Sequence, residues 1–356
     1  MRGLRGFEGA AILLSLATSV SATEPLPVHE AGRVIRNSDG STTFGWPATY
    51  FESRFRGTGV SVSVDSTTER MRLLIDGTER ARFIQPGLAS LTVAGLAPGD
   101  HVVRLEKLTE SQTGGGRFVG FYPTDGGTPL PLPDHARRIE FIGDSYTVGY
   151  GNTSPSRTCT PQEVHDLTDS QQAFGPLLAR ELNADYRVIA YSGFGIVRNY
   201  NGTSAGLNLP ALYPRLKPDD GTRLAASNTG GWRPQIIVIN LGTNDFSTPL
   251  HPGEAWANDA ALRADYRAKY IEFTQKLMQS QPQARLILMG SDAFYDDVQK
   301  VAAALNQTAA RPVLTLRFSG LELTGCDYHP SLNDHKMLAA SLRGLLDQHP
   351  DFWGKP

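Results

Sequence analysis

Three short stretches carry side chains that can do acyl chemistry together: Gly143-Asp144-Ser145, Gly242-Thr243-Asn244-Asp245 and Cys326-Asp327-Tyr328-His329-Pro330. A serine hydroxyl is a weak nucleophile until a base takes its proton. Histidine is such a base, and an adjacent carboxylate can fix its tautomer and stabilise its charged form. Ser145, His329 and Asp327 supply those three types. A developing oxyanion needs donors aimed at it, and the Ser145 N–H and the Asn244 side chain offer them. Plainer roles compete. A serine beside Gly and Asp is often only a turn residue, and Asn and Asp are natural caps. Asp144 and Asp245 fit those structural roles better than catalytic ones. His335 is a second candidate base, but it falls inside a periodic helix that ties its ring to a helix face, so His329 is preferred.

These stretches need elements to hold them. Ser145 directly follows the apolar strand Ile139-Glu140-Phe141-Ile142, and the Asn244 stretch follows the strand Ile236 to Ile239. Further strands are expected at 187–191, 286–289 and 313–316, with helices at 170–182, 298–305 and 334–346, and a long amphipathic helix through Leu262, Tyr266, Phe273 and Leu277. Alternating strands and helices imply a parallel sheet with right-handed crossovers. Such sheets present their chemistry at the carboxyl ends of the strands. The preceding segment has a different texture. Val60, Val62 and Val64 alternate with serines, Asp76-Gly77 marks a hairpin, and short strands recur without any 3.6-residue period. That pattern predicts a β-sandwich of about 100 residues. The proline-rich run from Gly126 to Pro133 reads as a connector. The expected organisation is a β-sandwich over 23–128, a linker over 129–136 and an α/β domain over 137–356.

Composition bounds the remaining choices. The 356 residues are 40% hydrophobic and 20% charged with a net charge of -2, which offers no field for nucleic acid or anionic lipid. Arg2 and Arg5, the apolar run from Ala10 to Val20 and the small residues Val20-Ser21-Ala22 predict a signal peptide over 1–22. The run is too short to span a bilayer core of about 30 Å. An exported chain, secreted or periplasmic, is therefore expected, with no membrane partner. The eight histidines form no His-x-x-x-His or His-Cys cluster, so neither a metal nor another cofactor is expected. The two cysteines, Cys159 and Cys326, permit one disulfide in an oxidising compartment.

The ordered blocks resemble those of SGNH (GDSL-type) hydrolases across residues 137–350. The resemblance implies a flavodoxin-like sheet and adds a block at Tyr191-Ser192-Gly193-Phe194-Gly195, where a glycine gives a second oxyanion N–H. Gly193 matches best and Gly195 is the alternative. Narrower likeness lies in Phe44-Gly45-Trp46-Pro47, Phe51 to Phe55, His101 to Lys107, Gly149 to Asn152 and Ser192 to Tyr200. These resemble carbohydrate esterase family two, which implies a jelly-roll sandwich and acetyl ester hydrolysis on plant cell-wall polysaccharides such as xylan or glucomannan, without a metal.

Most SGNH enzymes place the acid three residues before the histidine. Here Cys326 holds that position and Asp327 stands two before His329, as in family two, where some members use a Ser-His dyad with a backbone carbonyl orienting the base. Triad and dyad both stay open. If Ser145 and His329 meet, Cys159 and Cys326 belong to loops at the same end of the sheet and should pair. Tyr146, Phe194 and Tyr328 are candidate substrate contacts, since aromatic faces suit sugar rings. A monomer acting on an acetylated polysaccharide is expected. The rival readings are an SGNH esterase for lipid, thioester or peptidoglycan acetyl groups, and a carbohydrate-binding protein with a silent α/β domain.

Overall fold

The computed structural model describes residues 24–124, 126–132, 134–221 and 231–353. The signal peptide expected over 1–22 lies outside them. Side-chain alternation builds the first domain. Val60, Val62 and Val64 are buried in the strand Val60–Ser66, while Ser61 and Ser63 face outward and pair with Thr92 and Ser90 at 2.6 Å. That strand belongs to an antiparallel sheet ordered Val34–Arg36, Thr42–Phe44, Gly116–Pro123, Val60–Ser66, Gly87–Val93. A second antiparallel sheet is ordered His29–Ala31, Tyr50–Gly57, Gly99–Lys107, Arg70–Ile75, Thr78–Ile84. Phe44, Phe51, Phe55, Phe118 and Phe121 fill the space between them. The hairpin at Asp76-Gly77 forms as expected, with both residues at positive φ (51° and 76°), as a two-residue turn between twisted strands requires. Thr128–Pro129 still pairs with Arg56 and Phe55, so the sandwich runs just past the boundary expected at 128.

The second domain is a five-stranded parallel sheet ordered Ala184–Ala190, Arg137–Gly143, Ile236–Asn240, Arg285–Ser291, Leu314–Phe318. Strands buried on both faces explain the unbroken apolar runs. Helices Phe174–Glu181 and Leu332–Asp347 cover one face through Phe174, Leu178, Leu338 and Leu342. Helices Asp259–Ser280 and Tyr295–Asn306 cover the other through Tyr266, Tyr270, Phe273, Val298 and Val301. The first strand has its successor on one side and the third on the other. This 2-1-3-4-5 order opens a crevice at the carboxyl end of Arg137–Gly143. Among the described residues no helix is long and apolar enough to cross a membrane.

The two domains share a buried carboxylate. Asp185, at the start of its strand, accepts from Tyr50 Oη at 2.9 Å, Trp232 Nε1 at 2.5 Å and its neighbour Tyr186 N at 2.9 Å, with His29 Nε2 at 3.1 Å. Burial alone would raise its pKa, but the His29, Trp232 and Tyr50 contacts outweigh it and hold the group down at about 2. Arg104 of the sandwich lies 3.5 Å over the Tyr50 ring and donates to Tyr186 Oη at 2.8 Å. Asp185→Ala would take the shared acceptor from the Tyr50 and Trp232 donors. A loss of about 3 kcal/mol in unfolding free energy is expected by denaturant titration at neutral pH. The difference from wild type should shrink as pH falls toward 2, where the native carboxylate is itself protonated.

Candidate active site

The serine is set by a sharp strand-to-helix turn. A Cβ on Gly143 would collide with Thr147 and come within 3.0 Å of the Asn240 carbonyl, so only glycine lets the chain turn so tightly beside the next strand. Asp144 then caps the short helix Ser145–Val148, its carboxyl accepting from Tyr146 N at 3.0 Å. Burial raises this carboxyl to about 7, and the nearby Asp245 adds to the shift. Asp144 is therefore a turn-holding group, as expected. The Ser145 N–H, in the first turn, has no acceptor among the described residues.

Ser145 and His329 meet. The His329 Nε2 lies 2.9 Å from Ser145 Oγ, although 184 residues separate them. Its Nδ1 lies 2.9 Å from the Cys326 carbonyl and 3.1 Å from the Asp327 carbonyl. Two carbonyl acceptors on Nδ1 fix the proton there and leave the Nε2 lone pair facing the serine. Burial pushes the imidazole below its usual pKa, partly opposed by those two carbonyls. Tyr150 stacks on the ring at 4.2 Å between centroids, and Tyr146 meets it edge-on at 5.7 Å.

The Asp327 side chain is not where a triad would have it. Its exposed carboxylate accepts from Tyr150 Oη at 2.8 Å, and only its main-chain carbonyl reaches His329. The backbone explains this. Asp327 and Tyr328 both take left-handed conformations, at φ 51° and 61°. Two such residues in succession turn the carbonyls of 326 and 327 inward and the Asp327 side chain outward. This conformation is costly for residues with a Cβ and persists only when surroundings enforce it. Here Asp327 N donates to Arg157 O at 2.7 Å, and Cys326 is bonded to Cys159 with Cα atoms 5.5 Å apart. The disulfide expected from the cysteine positions is thus present, between the loop after the serine and the loop before the histidine. On the other side Asp334 caps the helix Leu332–Asp347 and also accepts from Glu322 N and Leu323 N. His335, the rival base, is fully buried on the core face of that same helix, its Nδ1 accepting from Phe174 N at 3.3 Å. It does not reach the serine.

The remaining expected groups lie in the segments that follow the neighbouring strands Ala184–Ala190 and Ile236–Asn240. Asn244, buried in the helix Thr243–Phe246, donates through Nδ2 to Phe194 O at 3.0 Å and lies 3.4 Å from Asp144 Oδ2. Asp245 is structural. Its buried carboxyl accepts from Ile196 N, Val197 N and Arg198 N at 2.9–3.0 Å, while burial raises its pKa to about 6. The two candidate glycines differ in packing. Gly195 donates to Asn199 Oδ1 at 3.2 Å, and a Cβ there would strike Asp245. Gly193, at φ +83°, has nothing within 4 Å of where a Cβ would sit and has no acceptor for its N–H among the described residues. Of the aromatic candidates, Tyr328 is 66% exposed with Arg157 5.2 Å over its ring. Phe194 packs edge-on to Tyr191 at 4.4 Å, and Tyr146 lies 6.5 Å from Phe318.

Sequence reasoning missed Arg198. Its guanidinium is buried and grips Glu254 at 2.6 and 2.8 Å, both oxygens of Thr248 and the Pro249 carbonyl. It thereby returns the hold that Asp245 has on its own loop. An arginine next to an asparagine carries no local signal of that kind, because its partners lie 50 or more residues away.

A five-stranded 2-1-3-4-5 sheet with a serine and histidine in contact at its carboxyl edge defines a GDSL-like hydrolase. Residues 141–341 match the model of the GDSL-like lipase/acylhydrolase family, and residues 30–133 match that of the carbohydrate esterase 2 N-terminal domain. The chain belongs to carbohydrate esterase family two, a family of ester hydrolases. It is 45% identical, over 98% of its length and 99% of the relative's, to an acetylxylan esterase / glucomannan deacetylase of Cellvibrio japonicus. It is 32% identical to the cellulase/esterase CelE of Acetivibrio thermocellus, over 83% of this chain and 36% of that one. Among solved structures, a carbohydrate esterase with divergent catalytic and non-catalytic binding functions superposes with a TM-score of 0.87 at 45% identity, covering 93% of this chain and 100% of the other. A family two carbohydrate esterase from Clostridium thermocellum, in complex with cellohexaose, gives 0.80 at 29% identity, over 92% and 100%.

The disulfide closes a loop of 167 residues and braces the left-handed turn that carries the histidine. Such a loop contributes about 5 kcal/mol in the chain-entropy model. Titrating the protein with dithiothreitol should therefore lower esterase activity at concentrations where the far-ultraviolet circular dichroism of the sheet is unchanged. Loss of both signals together would show that the bond holds the whole domain rather than this turn.

Proposed function

We propose that this chain is exported and removes acetyl groups from plant cell-wall polysaccharides, xylan or glucomannan, acting as a monomer through an acetyl-enzyme. The observation that carries the reading is the 2.9 Å contact between Ser145 Oγ and His329 Nε2. The activity named for the 45% identical relative supports the substrate class.

In this mechanism Ser145 Oγ attacks the acetyl carbonyl as its proton passes to His329 Nε2. The carbonyl oxygen becomes an oxyanion held by the N–H groups of Ser145 and Gly193 and by Asn244 Nδ2, whose long contact with Asp144 is the one given up. The imidazolium then returns the proton to the departing sugar oxygen, and the C–O bond to the sugar breaks. Water, deprotonated by the same histidine, attacks the acetyl-enzyme; the acyl C–Oγ bond breaks, acetate leaves and the imidazolium returns its proton to Ser145 Oγ. The carbonyls of Cys326 and Asp327 steady the imidazolium, so His329 works as one half of a dyad. Tyr328, exposed beside the base, offers a face on which a sugar ring can stack. Tyr146, edge-on to His329 at 5.7 Å, and Phe194, whose carbonyl accepts from Asn244, are the aromatic candidates for contact with the acetyl group.

Ser145→Ala should reduce acetate release by several orders of magnitude with the fold intact. Acetylated xylan, acetylated glucomannan and acetylated peptidoglycan should be assayed side by side; a preference for peptidoglycan would sink the substrate assignment. His329→Ala should match Ser145→Ala, whereas Asp327→Ala should keep activity within about tenfold of wild type, since the main-chain carbonyl remains. Equal losses in the two would restore a triad. Because the neutral imidazole is the active form, kcat should rise with pH, and burial should place that rise below the 6.5 of an unperturbed histidine. A midpoint above 6.5 would contradict it.

A further inference from the structure

The sandwich reaches the segment that carries Gly193. After its strand Gly99–Lys107 the first domain sends a short loop, Glu110-Ser111-Gln112, onto the strand end that leads into Gly193. Ser111 Oγ donates to the Ala190 carbonyl at 2.6 Å. Ser192 Oγ donates to Glu110 Oε1 at 2.7 Å. Gln112 Nε2 donates to the Ser192 carbonyl at 2.9 Å. The last of these matters most. The Ser192 carbonyl and the Gly193 N–H belong to one peptide group, which is planar and trans, so the two point in opposite directions. Whatever holds that oxygen aims that hydrogen.

Resting on the dyad and oxyanion reading given above, we propose that Gln112 is a positioning residue of the catalytic site: from the sandwich, it orients the Ser192–Gly193 peptide so that its N–H faces the oxyanion.

Three observations support this. Gly193, at φ +83° with nothing within 4 Å of where a Cβ would sit, is the third residue of the turn closed by Phe194 N on the Tyr191 carbonyl at 3.2 Å, and a glycine there lets the central Ser192–Gly193 peptide take either orientation. The carbonyl of Gly193 is held separately by Tyr200 N at 2.8 Å, which leaves the preceding peptide to be set from elsewhere. The loop that sets it is itself stiff. Lys107, buried and paired with the buried Glu69, donates through Nζ to the Glu110 carbonyl at 2.7 Å, and Thr113 Oγ1 donates to the same oxygen at 2.7 Å. A buried ion pair is a costly way to add stability alone. Here it anchors the loop that touches the site. Hydrogen bonding at the carbonyl also polarises the peptide and strengthens its N–H as a donor.

Gln112 is exposed, so its substitution should not unfold the sandwich. With p-nitrophenyl acetate, Gln112→Ala should lower kcat on the order of 10- to 100-fold, as a misplaced catalytic group does, while KM stays within about twofold. Gln112→Glu keeps the length but presents oxygen to oxygen, and should lose at least as much. Thermal unfolding of both should match wild type. The proposal is overturned if Gln112→Ala keeps kcat within about twofold, or if its loss appears in KM alone. Ser145→Ala and Asn244→Ala belong in the same series. If those two collapse while Gln112→Ala is silent, only the role of the sandwich loop is wrong. If they keep their activity, the underlying reading fails with it.

Discussion

A hydroxyl and an imidazole 184 residues apart in the chain have to be held at 2.9 Å with the imidazole lone pair facing the oxygen. Nearly everything distinctive in the second domain serves that contact. The parallel sheet delivers the serine at the carboxyl end of one strand, and the final helix delivers the histidine just before its own cap. Neither element can set the ring's rotation. That falls to two main-chain carbonyls, which exist in the right place only because Asp327 and Tyr328 sit at φ 51° and 61°. Backbone strain of this sort costs on the order of 1–3 kcal/mol per residue and must be offset by what surrounds it. The disulfide, the Arg157 carbonyl and the Asp334 cap are what surround it.

The same division recurs on the side proposed to hold the oxyanion. Asp245 and Arg198 exchange grips between two loops, each buried, each fully bonded, each at the end of a different strand. A buried carboxylate with three N–H donors and a guanidinium with all its neighbours engaged leave those loops little freedom. Such groups are expensive to bury unless every partner is present. Their cost is tolerable because the loops they join carry Gly193 and Asn244. A rigid cradle built before substrate arrives needs no rearrangement when charge develops.

Much of this was legible in the sequence, for reasons that differ by feature. Gly143-Asp144-Ser145 is a local signal, since glycine, cap and nucleophile are consecutive and follow an apolar strand. The alternation of Val60, Val62 and Val64 and the Asp76-Gly77 turn are likewise local. The cysteine pairing followed once the two loops were placed at one end of the sheet. What stayed hidden is non-local or not written in side chains. A carboxylate two residues before the histidine reads as its partner, yet the carbonyl of any residue type could do that work, so the identity of residue 327 carries no information about it. Arg198 and the Glu110-Ser111-Gln112 loop act on groups 50 to 82 residues away, across a domain boundary in the second case.

A base oriented by main-chain carbonyls has an evolutionary consequence. A side chain can be lost by a single substitution, whereas a carbonyl is present whatever the residue. Once the turn at 326–328 is locked by the disulfide, the two side chains it throws outward are released from duty toward the histidine. Asp327 and Tyr328 are both exposed beside His329, on the side from which the proposed polymer substrate would approach. Their identities can drift under selection for the shape of that polymer without disturbing proton transfer. A turn of this kind separates the part of the site fixed by its backbone from the part that side chains can retune.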